Sequence, residues 1–340
     1  MELDKVLKSI KLKTSQYSKG WANEIFCLEN IGTDLKSSLL ILCNKIKNTE
    51  EIPTFFRETF ISAISKKKKD PTSLESERGI FLVNRIRMIF MKLLYNSNIQ
   101  NIESKLTNSN IGGRKGKSAR DHLFVLYAIL TDIKQNKKSK CLDLVWYDLA
   151  SCFDGLWGAK TYLDLYSNGV NNNSLNLIYK INQRATISIK TPVGISEESE
   201  IANKIMQGEN FSSTLCTSTL DLVSKECPLK PYKYRNIVEI PKVGFLDDIL
   251  DITYCGIQAQ QMNKYTNNEI MKRKLQFSVE KCKRMHIGKT SKKCKEIYID
   301  NWKIQSNEEN FVSYLEDSHQ GKLPIKNTSQ HIYLGEIVCH

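Results

Sequence analysis

Val243-Gly244-Phe245-Leu246-Asp247-Asp248-Ile249-Leu250-Asp251-Ile252 sets two adjacent carboxylates between apolar flanks. Val243, Phe245 and Leu246 read as strand going in; Ile249, Leu250 and Ile252 read as strand coming out. The pattern predicts a hairpin with the acidic pair at its turn. Asp is a common turn residue, so a polar turn accounts for this stretch taken alone. Yet two negative charges held together at a sheet edge are costly unless a cation neutralises them. What turns the reading toward a cation site is a second acidic site upstream.

That site is Leu142-Asp143-Leu144-Val145-Trp146-Tyr147-Asp148, a predicted strand ending in a carboxylate, followed by Leu149-Ala150-Ser151-Cys152-Phe153-Asp154. Hard oxygen donors from two separate strand ends suit a pair of Mg²⁺ ions. Asp148 with Phe153-Asp154, then Gln207-Gly208, then Phe245-Leu246-Asp247-Asp248 resemble, in this order, the palm motifs of reverse transcriptases. The likeness is nearest to the polymerase domain of LINE-type (non-LTR) retrotransposons. The resemblance implies nucleotidyl transfer by two Mg²⁺ ions, with Mn²⁺ as the alternative, held by Asp148 and Asp247 with Asp248 supporting. It makes Phe153 the bulky residue under the sugar that excludes a 2′-hydroxyl; a plain core aromatic is compatible with that role. Gln207 would touch the incoming nucleotide and Gly208 would let backbone pass close to it. Asp154 is expected to cap a helix, and Asp143 to be structural.

Further motifs extend the resemblance from about residue 10 to the end. The lysine run at 66–69 precedes Arg78-Gly79-Ile80-Phe81-Leu82, which is similar to the family's Arg-Pro-Ile-Ser-Leu with Gly for Pro. By resemblance Lys66 and Arg78 clamp the phosphates of the incoming nucleotide; a solvated loop or nuclear-import signal also fits the lysines. Ile111-Gly112-Gly113-Arg114-Lys115-Gly116-Lys117-Ser118 resembles the family's template-facing Gly-Phe-Arg-Lys-Gly-Arg-Ser-Thr. It nominates Arg114, Lys115 and Lys117 as template contacts, against a flexible solvated turn. It is not a Walker loop, because its glycine spacing is wrong. Leu275-Gln276-Phe277-Ser278-Val279-Glu280-Lys281 resembles Leu-Asn-x-x-Lys-Thr-Lys and places Lys281 beside the pyrophosphate leaving group, where a cation stabilises or protonates the departing oxygen. A basic strand edge is the rival reading of Lys281. Tyr333-Leu334-Gly335 resembles the hairpin that grips the primer.

Composition agrees with a polyanionic partner. The 50 Lys and Arg against 37 Asp and Glu leave a formal net charge of +13. No apolar run reaches membrane-spanning length, and the start, Met1-Glu2-Leu3-Asp4-Lys5, is no signal peptide. An intracellular protein, nuclear or cytoplasmic and not secreted, is expected. Ten scattered cysteines form no Cys-x-x-Cys pair, so thiols in a reducing compartment are expected, not a zinc site or disulfide frame.

Helical spacing predicts helices over 84–106, 157–168, 173–183 and 258–274, one through Leu123 to Ile133, and one from Leu35 to Ile46 capped by Asp34. Strands are expected over 185–190 and 296–304. The expected fold is α+β: right-hand polymerase fingers and palm, a mainly antiparallel palm sheet flanked by helices, with the thumb absent or truncated. Residues 1–50 would form a basic helical extension. The fingers would span 51–140 with part of 156–205, and the palm 141–340. Expected partners are an RNA template, a DNA primer and deoxynucleoside triphosphates, together with a thumb or endonuclease domain of the same element. Two other functions fit the residues: a polymerase-like fold that only binds nucleic acid, and an RNA-dependent RNA polymerase, which Phe153 disfavours.

Overall fold

The computed structural model describes residues 2–10, 22–65, 77–135, 141–150, 152–156, 159–191, 194–201, 209–240, 242–254, 256–287, 296–299, 302–305, 326–327, 330–333 and 336–339. From the N-terminus run α1 (Glu2–Lys8), α2 (Thr33–Thr49), β1 (Glu58–Ser65), β2 (Glu77–Val83), α3 (Arg85–Lys105) and α4 (Ala119–Gln135). Next come β3 (Leu142–Tyr147), β4 (Leu149–Ala150), α5 (Cys152–Gly155), α6 (Ala159–Ser167), α7 (Asn172–Asn182), β5 (Ala185–Thr191), β6 (Gly194–Ile195) and β7 (Ser199–Ile201). Then follow α8 (Ser212–Lys225), β8 (Tyr232–Tyr234), β9 (Val238–Ile240), β10 (Lys242–Phe245), β11 (Asp248–Thr253), α9 (Gly256–Lys272), β12 (Gln276–Phe277) and β13 (Lys283–Ile287). The last strands are β14 (Glu296–Ile299), β15 (Trp302–Gln305), β16 (Lys326–Asn327), β17 (Gln330–Tyr333) and β18 (Glu336–Cys339).

Two compact units share the chain: Met1–Lys105 with Leu156–Ser212, and Leu106–Gly155 with Ser213–His340. Residues 51–105 fall in the first unit and α4 in the second.

In the first unit β1 pairs antiparallel with β2 and parallel with β5, and β5 carries β6 and β7 antiparallel. The helical core buries Leu3, Val6 and Leu7 of α1, Leu39, Cys43 and Ile46 of α2, Phe90 and Leu94 of α3, and Leu177, Ile178 and Ile181 of α7. The apolar i, i+3/i+4 spacing of these residues is why each segment is a helix with one buried face. Within this apolar packing Arg87 is fully buried. Its guanidinium donates to Glu209 Oε1 at 2.5 Å, to the Phe56 carbonyl at 2.5 Å and to Asn182 Oδ1 at 2.9 Å. Asn171 caps α7, its Oδ1 accepting from the Ser174 N–H at 2.8 Å. Asp34 does not cap α2: Gly32 holds the N-cap position, and Asp34 sits in the first turn, where its charge complements the helix dipole.

The second unit is built on a sheet ordered β10-β11-β3-β13-β16. The first three pairings are antiparallel and the last is parallel. Alternation gives the sheet two chemically different faces. Leu142, Leu144, Trp146, Val243, Leu250, Ile252, Met285 and Ile287 form one apolar face, covered by Leu123, Leu126, Ile129, Leu130 and Ile133 of α4. The other face buries charge. Lys242 donates to Asp251 Oδ1 and, at 2.5 Å, to Thr266 Oγ1 of α9. Arg284 Nη2 pairs with Asp143 Oδ1 at 2.6 Å, and His286 Nδ1 meets the same oxygen at 3.1 Å. Asp143 is thus structural, as expected. The strand expected over 296–304 is two strands, β14 and β15, paired as a hairpin.

Candidate nucleotidyl-transfer site

β10 and β11 pair through Phe245↔Asp248, which leaves Leu246-Asp247 as a two-residue turn. Leu246 has φ +56°, the left-handed region that the first central position of such a hairpin turn can require and that Gly usually supplies. β11 then pairs with β3 through Ile249↔Tyr147. That is the last pair of the ladder, and Asp248 and Asp148 are the next residues along the two strands. Like charges held near one another disfavour the ionised form. The effect is visible in Asp248, whose carboxyl is pushed up to about 6, first by burial and then by the charges of Asp247 and Asp148, with Lys281 pulling the other way. The three acids predicted from the sequence therefore share one electrostatic field.

Lys281 brings a cation into that field. Its Nζ donates to Asp148 Oδ1 at 2.9 Å. Burial lowers the Lys281 pKa, but the hydrogen bond and charge of Asp148, followed by Glu280 and Asp247, outweigh it, and the net shift is upward. The short ladder of β12 with β4 lays this segment beside the end of β3. The Ser278 N–H donates to the Asp148 carbonyl at 2.8 Å, and the Phe277 and Tyr147 rings lie 5.0 Å apart. Tyr147 is buried, and its hydroxyl donates to Asp251 Oδ2 at 3.1 Å. Burial, and then Asp251, raise its pKa, so it remains a donor.

The donors suit a hard divalent cation: three carboxylates on two adjoining strand ends, with a mutual repulsion that Lys281 only partly offsets. Among the described residues, no group of three or more His, Cys, Asp or Glu side chains is drawn together closely enough to hold a metal ion. The carboxylates are thus grouped but not closed into a coordination shell.

The glycine-rich loop has a buried side and an exposed side. Lys115 and Lys117 are exposed, with Lys117 Nζ donating to Asn108 Oδ1 at 3.2 Å. Arg114 is half-buried and turns back on its own loop, donating to the carbonyls of Thr107 and, at 3.2 Å, Asn110. The loop root is tied to α8, where Asp221 Oδ2 accepts from the Thr107 N–H at 2.9 Å. Phe153 is half-buried in α5. Asp154 lies inside this short helix, not at its N-cap, and its side chain is outside the described residues. Arg78 lies in β2 opposite Ile64, and Tyr333 ends β17 opposite Glu336; neither side chain is described. Lys66, Gln207, Gly208, Leu334 and Gly335 lie outside the described residues. The sequence reading missed Asn110, which touches the acidic turn, and the Lys242–Asp251–Thr266 group beneath it. An Asn just ahead of paired glycines was the one available hint of the first.

Helices over a mainly antiparallel sheet, with acids gathered where two strand ends adjoin, define a polymerase palm-and-fingers fold of the α+β class. A solved telomerase chain from Candida tropicalis, an apo form truncated from its C-terminal domain, shares this fold with TM-score 0.51 at 12% identity, over 80% of this chain. The present chain spans 59% of that one. The family model described as reverse transcriptase (RNA-dependent DNA polymerase) matches residues 65–335, and the chain belongs to that family. Among the described residues, no helix is long and apolar enough to cross a membrane.

Proposed function

We propose that this chain is the polymerase portion of a LINE-type retrotransposon reverse transcriptase, extending a DNA primer on an RNA template inside the cell, in the nucleus or cytoplasm. The single observation that carries the reading is that Asp248, one residue past the Ile249↔Tyr147 pair, feels the charges of both Asp247 and Asp148. Family membership supplies the reaction class.

In the reaction, the primer 3′-oxygen bonds to the α-phosphorus of a deoxynucleoside triphosphate, and the bond to the pyrophosphate oxygen breaks. Asp148, Asp247 and Asp248 would hold two Mg²⁺, or Mn²⁺, which when bound lower the hydroxyl's pKa and stabilise the triphosphate. Lys281 would present its ammonium to the departing oxygen. Lys66 and Arg78 would clamp phosphates. Gln207 and Gly208 would seat the incoming base, and Phe153 would exclude the ribose 2′-hydroxyl. Lys115 and Lys117 would follow the template backbone, joined by Arg114 if it leaves its loop carbonyls, and Tyr333-Leu334-Gly335 would grip the primer. Segment 51–140, with part of 156–205, would act as fingers and 141–340 as palm, with a thumb or endonuclease domain supplied from the same element.

Primer extension by the wild type and by Asp247→Ala tests the proposal. Incorporation by the wild type alone supports it. Equal incorporation, including none, leaves a fold that only binds nucleic acid. Phe153→Ala should admit ribonucleotides; unchanged sugar preference removes the gate assignment.

A further inference from the structure

We infer that Asn110 is the positioning residue of the acidic turn: its side-chain amide holds Leu246 in a left-handed conformation and so aims Asp247 and Asp248. The inference rests on the proposal that these carboxylates hold metal.

Leu246 has φ +56°, which is uncommon for a side chain branched like leucine's. Such a conformation persists where the surroundings over-determine it. Here Asn110 uses both ends of one amide. The Leu246 N–H donates to Asn110 Oδ1 at 3.1 Å, and Asn110 Nδ2 donates to the Leu246 carbonyl at 2.9 Å. Both polar groups of the strained residue are thereby satisfied by one buried side chain, 2% exposed. Its two bonds fix the peptide planes on either side of Leu246, and the second plane leads directly into Asp247.

Asn110 is itself anchored. It forms a parallel bridge with Gly244, whose N–H donates to the Ser109 carbonyl at 2.6 Å and whose carbonyl accepts from the Ile111 N–H at 3.0 Å. Asn110 Oδ1 also accepts from the Gly112 N–H at 3.1 Å. Two glycines make the approach possible. A Cβ on Gly112 would lie 2.1 Å from the Leu246 nitrogen, and a Cβ on Gly244 would lie 3.0 Å from Asn110 Nδ2. Only a side chain with a donor and an acceptor at amide spacing fits. Asp would lose the donor and add a negative charge beside the acidic turn, and Ser would be too short to reach both groups.

The test combines Asn110→Ala with Leu246→Gly. Glycine enters the left-handed region without the penalty, so it removes the need for the clamp. Mn²⁺ binding to the nucleic-acid-free chain is measured alongside primer extension. Losing a partner that orients metal ligands costs roughly 10–100-fold in metal affinity. Asn110→Ala should therefore weaken Mn²⁺ binding at least about tenfold when Leu246 is retained, and no more than about threefold when it is combined with Leu246→Gly. Leu126→Ala in α4 serves as a control for stability loss and should not reproduce this dependence on the Leu246→Gly change. Equal losses in both backgrounds, or no loss, overturn the inference. If Mn²⁺ binding shows the expected dependence but the wild type extends no primer, the clamp stands and the polymerase reading fails. A wild-type chain that binds no Mn²⁺ overturns both.

Discussion

Lys281 Nζ donates to Asp148 Oδ1 at 2.9 Å, joining residues 133 apart in the chain. Lys281 therefore occupies an oxygen that the proposed metals would need, and the two cations compete for it. Lys281→Gln is expected to tighten Mn²⁺ binding to the free chain about threefold, the scale of an exposed ion pair. The same variant is expected to slow primer extension by about a hundredfold if the ammonium serves the leaving oxygen. Metal titration and single-turnover rates on one preparation check both. A variant that loses metal affinity and rate together contradicts this account.

The acidic turn should cost the metal-free chain stability. The Asp248 carboxyl stands at about 6 in the fold, against 3.8 for an ordinary Asp. The group therefore favours the folded state most when protonated. Its penalty is absent below pH 4, grows between pH 4 and 6, and is complete above. Asp248→Asn should be more stable than the wild type at pH 7.5, by on the order of 1–2 kcal/mol after solvent screening, and no more stable at pH 3.5. Urea unfolding at the two pH values measures this, and added Mg²⁺ should shrink the difference at pH 7.5.

Beneath the turn, the Lys242–Asp251 pair is 1% and 0% exposed. Removing one partner of such a pair strands a buried charge and costs about 3–5 kcal/mol. Asp251→Leu and Lys242→Met should each lose stability on that scale, whereas the double variant Lys242→Met/Asp251→Leu should recover most of it. Chemical denaturation of the three variants reads the pattern; an additive double variant would show that the charges are not coupled.

In the first unit, Arg87 gathers Glu209, Asn182 and the Phe56 carbonyl. Arg87→Met should destabilise the fold by about 3–5 kcal/mol, because Glu209 is left buried without its cation. Arg87→Lys should recover only part, since an ammonium lacks the guanidinium's planar fork. Thermal unfolding checks the order wild type, Lys, Met.

The sequence alone marked several of the elements and named the residues of the proposed site. Periodicity marked α3 and α4, and apolar flanks around Asp247-Asp248 marked the β10–β11 hairpin, because residues that pack on one face must recur at the period of their backbone. The order of the motifs is enough to single out Asp148, Asp247, Asp248 and Lys281. Tertiary structure decided what no spacing encodes. The hydrogen bond between Asn110 and Leu246 joins residues 136 apart, and the buried pair beneath the turn depends on which face each strand turns to α9. Asp34 lost its capping role for the same reason: a cap is set by the chain's direction at the helix start, which Gly32 takes here. Residue types limit which interactions can form. Which of them do form depends on strand register and chain crossing, and these follow from burying the whole core at once.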